Sequence, residues 1–296
     1  LAVLIPTLLF AKLDNIYVII MLLSTLWMGI IGGIDDYIKV FKKNKEGMKA
    51  TTKLIGQLFL GIIIAATIDY THSANHIPLE TNLPISKLRL NYSDILPGEG
   101  NAWLVFIPVI IFIVMAITNA VNLTDGIDGL AAGTTAIVGG GLGILAYATG
   151  NIKIASYLNI IYVPNSGEVV IFLAALIGAC LGFLWYNGFP AQVFMGDTGS
   201  MALGGALAAV AIIIKMELLL PVLCGIFFAE SLSVILQVSY FKYTKKKFGE
   251  GRRIFLMSPL HHHYQKKGIP ESKITLRFWL ITVILVLATL ALIKLR

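Results

Sequence analysis

Asn119-Ala120-Val121-Asn122-Leu123-Thr124-Asp125-Gly126-Ile127-Asp128-Gly129 stands directly after the apolar run 102–118 and just before another that opens at Leu130. Asn119, Asn122, Asp125 and Asp128 recur at every third residue. On a helix of 3.6 residues per turn such a row drifts around the cylinder, so the four side chains face one point only if the helix tightens or ends. Gly126 and Gly129 supply the ending. The stretch predicts a membrane helix that stops near Asn122 and a loop that turns carboxylates and backbone N–H groups toward one pocket. A plain polar connector is the alternative, but ionisable groups at a membrane edge commonly mark function.

The flanking runs set the fold class. Of 296 residues 57% are hydrophobic and 13% charged, with a mean hydropathy of +0.83. A soluble domain carries about 25% charged residues, which excludes that class. The runs are near-continuous and lack the alternation of barrel strands, so the chain reads as an all-α, polytopic integral membrane protein forming a single domain, 1–296. Nine transmembrane helices are predicted, at 1–11, 16–34, 54–68, 102–120, 130–149, 169–186, 200–214, 218–241 and 276–292. The first is incomplete: the chain opens on Leu1 inside an apolar stretch, and is expected to be cut at its N-terminus. The polar segment 69–100 suits short strands or a surface helix, 150–167 reads as a loop, and 242–273 is basic. Cys180 and Cys224 lie inside apolar runs and are expected as buried free thiols.

Counting spans fixes which loops share a compartment. The segments that start at residues 35, 122, 187 and 242 fall on one side, and they carry 16 of the 23 Lys and Arg residues. By the positive-inside rule that side is cytoplasmic, leaving a small extracytoplasmic segment opposite. Every unusual polar motif then faces the cytoplasm. Asp35-Asp36 ends one span; successive helical residues point about 100° apart, so one carboxylate faces a pocket while the other pairs elsewhere, and Lys39 is placed to bridge Asp35. Gly196-Asp197-Thr198-Gly199-Ser200 opens another span. Thr198 or Ser200 is expected to cap it, its free N–H groups to attract an anion, and Asp197 to hold a magnesium ion through substrate phosphates. Glu230, Ser233 and Gln237 share a face inside an apolar run, where a carboxyl needs a cavity or a partner. His261-His262-His263 diverge too much to ligate one metal, so hydrogen bonds to phosphate oxygens and proton transfer are the expected uses. Lys245, Lys246, Lys247, Arg252 and Arg253 suit anionic membrane lipid. Nothing points to nucleic acid.

Asp35-Asp36 with Lys39, the run NAVNLTDGIDGLAAG from Asn119, VFMGDTGS from Val193, LSVILQV from Leu232 and SPLHHH from Ser258 resemble the polyprenyl-phosphate N-acetylhexosamine-1-phosphate transferase superfamily. The match runs from Ile31 to the C-terminus in order and spacing, and the triple histidine points to its phospho-N-acetylmuramoyl-pentapeptide transferase branch. The resemblance implies ten transmembrane helices, a homodimer, and a Mg2+-dependent reaction at the cytoplasmic face of the bacterial inner membrane. In that reaction undecaprenyl phosphate attacks UDP-MurNAc-pentapeptide to give lipid I and UMP. It assigns catalysis to Asp35, Asp36, Asp197, His261, His262 and His263, with Asp197 the metal ligand. Asn122, Asp125, Gly126, Ile127, Asp128, Asn187, Phe194, Gly196 and Gln237 match substrate-binding positions, and Lys53 joins them as a neutralising cation. Two departures stand out. The family's opening span and its TPTMGG-like run have no counterpart here, and Tyr264-Gln265 stand where family members often have Phe-Glu. The rival readings are transfer of N-acetylglucosamine-1-phosphate and transport of an anionic solute; transport predicts groups near the bilayer midplane, whereas these motifs gather at one face.

Overall fold

The computed structural model describes residues 1–44, 46–74, 78–84, 86–95 and 101–295. Its helices are α1 (Leu4–Phe10), α2 (Ile16–Val40), α3 (Ala50–Ala74), α4 (Ala102–Thr124), α5 (Leu130–Gly150), α6 (Ile152–Leu158), α7 (Gly167–Asn187), α8 (Gly196–Ile213), α9 (Leu220–Leu223), α10 (Gly225–Phe248), α11 (Leu260–Lys266) and α12 (Glu271–Leu295). Seven of these are long and apolar enough to cross a membrane, and α9 with α10 makes an eighth if that bent pair is one span. The chain is thus a multi-pass, helical membrane protein, as its composition predicts. The first expected span, 1–11, is represented by the seven residues of α1, about 10 Å of helix.

The core is built on α8, which packs against α2 and α4. Gly204, Gly205, Ala206, Ala208, Ala209 and Ala211 are all buried there. Small side chains let backbones approach closely, and where lipid is as apolar as leucine this packing is what holds helices together. A second stack joins α5 to α7 and α12. Cys180 and Cys224 are free and buried, as expected.

Three segments differ from the sequence reading or settle it. The polar segment 69–100 forms strands: β1 (Glu80–Asn82) pairs antiparallel with β2 (Arg89–Asn91), Glu80 opposite Asn91. Residues 75–77, 85 and 96–100 of that segment lie outside the described residues. The expected loop 150–167 contains α6, because the Asn151 side chain accepts from the N–H groups of Lys153 and Ile154 and starts a short helix. The uninterrupted span expected at 218–241 is broken. Cys224 leaves the helical region at φ −96°, ψ 24°, and the chain turns by 81° between residues 217–223 and α10. Pro221 in the first turn of α9 and Gly225 at the start of α10 flank the turn, a local signal that a reading by hydropathy alone runs through.

Candidate active site

The α2–α8 crossing builds the site. At Gly32 a Cβ atom would stand 2.1 Å from the Asp197 carbonyl oxygen, so only glycine allows α2 this close to the first turn of α8. The contact sets Asp35 and Asp36, at the end of α2, against the N-terminus of α8. There Asp36 does what Thr198 and Ser200 were expected to do. Its Oδ1 accepts from the Asp197 N–H at 3.1 Å, and its Oδ2 accepts from the Thr198 N–H at 2.8 Å and the Thr198 hydroxyl at 2.6 Å. Helix α8 has no side-chain cap of its own; its cap comes from a neighbouring helix, and the anion that its N-terminus attracts is Asp36. Ser200 instead donates to the Gly196 carbonyl and accepts from Asn122 Nδ2 at 2.9 Å.

Asp35 is fully buried and paired on both oxygens. Oδ1 accepts from the Met48 N–H at 2.6 Å, and Oδ2 lies 2.5 Å from Lys39 Nζ and 3.0 Å from Lys53 Nζ. The same two ammonium groups reach Asp197 Oδ2, Lys53 at 2.5 Å and Lys39 at 3.2 Å. Carboxylate oxygens of Asp35, Asp36 and Asp197 come within 4.8 Å of one another. The predicted i, i+4 bridge is present, and it is one strand of a five-residue ionic cluster.

Beside that cluster lies a cavity of about 280 Å³ lined by Asn122, Asp125, Gly126, Ile127, Asp128, Asn187, Phe194, Met195, Gly196 and Asp197. Helix α4 ends at Thr124 and α5 begins at Leu130, so the quoted stretch makes the helix end and loop its spacing predicts. Side chains from other elements hold the loop open. Asn187 Oδ1 accepts from the Gly129 N–H at 3.0 Å while its Nδ2 donates to the Val193 carbonyl. Asp128 Oδ2 accepts from the Ala191 N–H, and the Asp128 N–H donates to Glu271 Oε1 at 2.7 Å. Ile127 is buried against Leu130, Ile226, Ile274 and Phe278. Phe194 is 76% exposed, an open aromatic face at the cavity.

The histidines divide. His261 is fully buried; its backbone N–H donates to Glu230 Oε1 at 3.2 Å and its Nδ1 lies 3.3 Å from Glu230 Oε2. Its Nε2 fills the place a side chain at Gly126 would take, 2.2 Å from an ideal Cβ. His261 is therefore a pillar under the Asp125–Gly126 turn, and Glu230, the carboxyl that needed a partner, holds it. His262 and His263 are half-buried: Gln265 Oε1 lies 2.7 Å from His262 Nδ1, and His263 Nδ1 accepts from the Leu256 N–H. Gln237 stands apart from the cavity. Its Oε1 accepts from the N–H groups of Ile254 and Phe255, and its Nε2 donates to the Phe255 carbonyl, so the amide is spent on the loop before α11. Glu271 escaped the sequence reading, because an acid just after Pro270 looks like an ordinary helix start; Gln265 was noted only as a departure from the family pattern, and its bonds to His262 and Glu271 were not foreseen.

Burial first, and then the charges of Asp197 and Asp36, push the Asp125 carboxyl up to about 6, against a smaller opposing effect of His261. An unfolded aspartate titrates near 3.9. The folded protein thus holds this proton more tightly than the unfolded chain, so stability falls as pH rises from about 4 to about 6, and the deficit persists above. With chelator present, Asp125→Asn is expected to stabilise the fold at pH 7.5 by on the order of 2 kcal/mol, seen as a raised unfolding midpoint, and to leave the midpoint unchanged near pH 4. Thermal unfolding in detergent at the two pH values checks this.

Residues 18–215 match the sequence profile of glycosyl transferase family 4. The chain is 51% identical to the phospho-N-acetylmuramoyl-pentapeptide-transferase of Flavobacterium psychrophilum, an alignment that covers 99% of the chain and 79% of that relative. The chain belongs to glycosyl transferase family 4, among its phospho-N-acetylmuramoyl-pentapeptide transferases. Proteins of that name from Parabacteroides distasonis and Chlorobium phaeobacteroides are 50% and 54% identical, each over 100% of the chain and over 80% and 78% of the relative. The profile of glycosyl transferase family 4 takes in the whole ionic cluster and the cavity loop. It ends before Glu230 and the histidines.

Proposed function

We propose that this chain, as one domain, is a magnesium-dependent phospho-N-acetylmuramoyl-pentapeptide transferase of the bacterial inner membrane, acting at the cytoplasmic face and as a homodimer. It transfers phospho-MurNAc-pentapeptide from UDP-MurNAc-pentapeptide to undecaprenyl phosphate in peptidoglycan synthesis, giving lipid I and UMP. The observation that carries the site assignment is the meeting of Asp35, Asp36 and Asp197 with Lys39 and Lys53 beside the 122–128 cavity, in helices 161 residues apart in sequence.

The residues fit the ion the reaction needs. Three hard carboxylate donors converge within 4.8 Å, and two lysine ammonium groups already take the cation position between Asp35 and Asp197. Asp197, which lines the cavity, would hold magnesium together with substrate phosphates. When bound, magnesium supplies a Lewis acid that neutralises phosphate oxygens. The protein's own contribution is positioning and charge, the main demands of phosphoryl transfer. An oxygen of undecaprenyl phosphate forms a bond to the β-phosphorus, and the bond from that phosphorus to the bridging oxygen breaks, so that UMP leaves. One phosphoanhydride replaces another, and no proton need be removed from a lipid phosphate that is already ionised. Asp36 is committed to α8 and Asp35 to Met48 and the lysines, so the pair serves by fixing Lys39, Lys53 and the first turn of α8.

Purified protein given magnesium, undecaprenyl phosphate and labelled UDP-MurNAc-pentapeptide is expected to yield butanol-extractable label and free UMP. Label arising only from UDP-GlcNAc would move the assignment to the sister activity. Uptake into vesicles without a lipid product would replace it with transport.

A further inference from the structure

The adjacent histidines of α11 are held in opposite protonation patterns. His263 Nδ1 accepts the Leu256 N–H at 3.0 Å, so this nitrogen has no proton and the ring carries it on Nε2. His262 Nδ1 instead lies 2.7 Å from Gln265 Oε1. An amide oxygen only accepts, so here Nδ1 carries the proton. The inference depends on which way the amide points, and its other end settles that. Gln265 Nε2 lies 3.2 Å from Glu271 Oε2, and a carboxylate also only accepts. A reversed amide would set oxygen against oxygen at Glu271. Glu271 is fixed in turn by the Asp128 N–H on its other oxygen, at 2.7 Å.

We infer that Gln265 is a positioning residue that fixes His262 as the Nδ1–H tautomer and leaves Nε2 as a hydrogen-bond acceptor. A neutral imidazole in a peptide prefers the proton on Nε2, so the chain inverts the intrinsic preference at His262 and keeps it at His263. A carboxylate at 265 would confront Glu271 and lose the donor; glutamine can serve an imidazole N–H and a carboxylate together. Resting on the proposed reaction, the two rings then divide substrate recognition. His263 offers an N–H to an anionic oxygen, and His262 accepts from a donor group, a hydroxyl or amide N–H of the sugar-peptide.

The test is ¹⁵N NMR of the full chain in detergent with labelled histidine, above the titration range of both rings, His262 and His263 being assigned by single substitution. Expected is Nδ1–H at His262 and Nε2–H at His263. In Gln265→Leu, His262 should revert to Nε2–H while His263 is unmoved, and KM for the sugar nucleotide should rise about tenfold with turnover within twofold, the signature of one lost substrate hydrogen bond. Nε2–H at His262 in the parent overturns the inference, and does so even if the leucine variant fails to fold. An unchanged His262 tautomer in a folded Gln265→Leu overturns it too, whatever happens to KM. The tautomers are read without substrate, so a parent that shows Nδ1–H at His262 but makes no lipid product would sink the proposed reaction and leave this inference standing.

Discussion

Asp197→Asn leaves the protein folded and lowers turnover about a thousandfold. The amide keeps the size of the side chain, and the backbone N–H of residue 197 still donates to Asp36, so the first turn of α8 keeps its cap. What goes is the charge: Lys39 and Lys53 lose their shared second carboxylate, and the proposed magnesium ion loses its protein ligand. Removing one preorganised electrostatic group from a reacting centre commonly costs 10²–10³ in rate, and here an ion is lost with it, which places the effect at about 10³. The lipid-product assay across a magnesium series, beside a thermal unfolding curve, separates the cases. Activity retained through the series would take Asp197 out of the metal role; a large drop in unfolding midpoint would make it structural.

The second large effect comes from a methyl group. Gly32→Ala puts a Cβ 2.1 Å from the Asp197 carbonyl oxygen and 2.7 Å from the Thr198 nitrogen. Both are backbone atoms of a helix packed on two sides, so no flexible side chain can yield, and α2 and α8 must part. Overpacking of this kind costs about 1–3 kcal/mol or more, and the same displacement separates Asp36 from the N–H groups it caps. Expected are a clear loss of thermal stability and nearly complete loss of lipid product. Gly178→Ala in α7 is the control. Among the described residues nothing lies within 4 Å of its Cβ, and a helix-interior glycine exchanged for alanine gains up to about 1 kcal/mol. Equal behaviour of the two variants would remove the close crossing from the account.

What could be read from the chain, and what could not, follows from the reach of each interaction. The 119–129 stretch was legible because its polar density and glycines contrast with the runs on either side, a local signal that needs no knowledge of the fold. Asp35 with Lys39 was legible for the same reason, as an i, i+4 pair. The cap of α8 was misplaced because sequence reasoning looks for it in the neighbouring residues Thr198 and Ser200, whereas it comes from Asp36, 162 residues away. His261 and Gln237 show the same limit. Their residue types suit a binding site, yet one ring is packed under Gly126 and the other side chain clamps Phe255, arrangements set by how α10 and the following loop cross the bundle. The turn at Cys224 was missed because the reading followed hydropathy through Pro221 and Gly225, the two residues that flank it.

Lys39 and Lys53 make the protein its own counter-ion donor. With two fixed positive groups among three acids, the cradle is close to electroneutral on its own, and the bundle can assemble at a membrane boundary before any divalent ion arrives. Folding of this crossing is thereby uncoupled from ion supply, and a dependence on the proposed magnesium would be read in turnover and not in thermal stability.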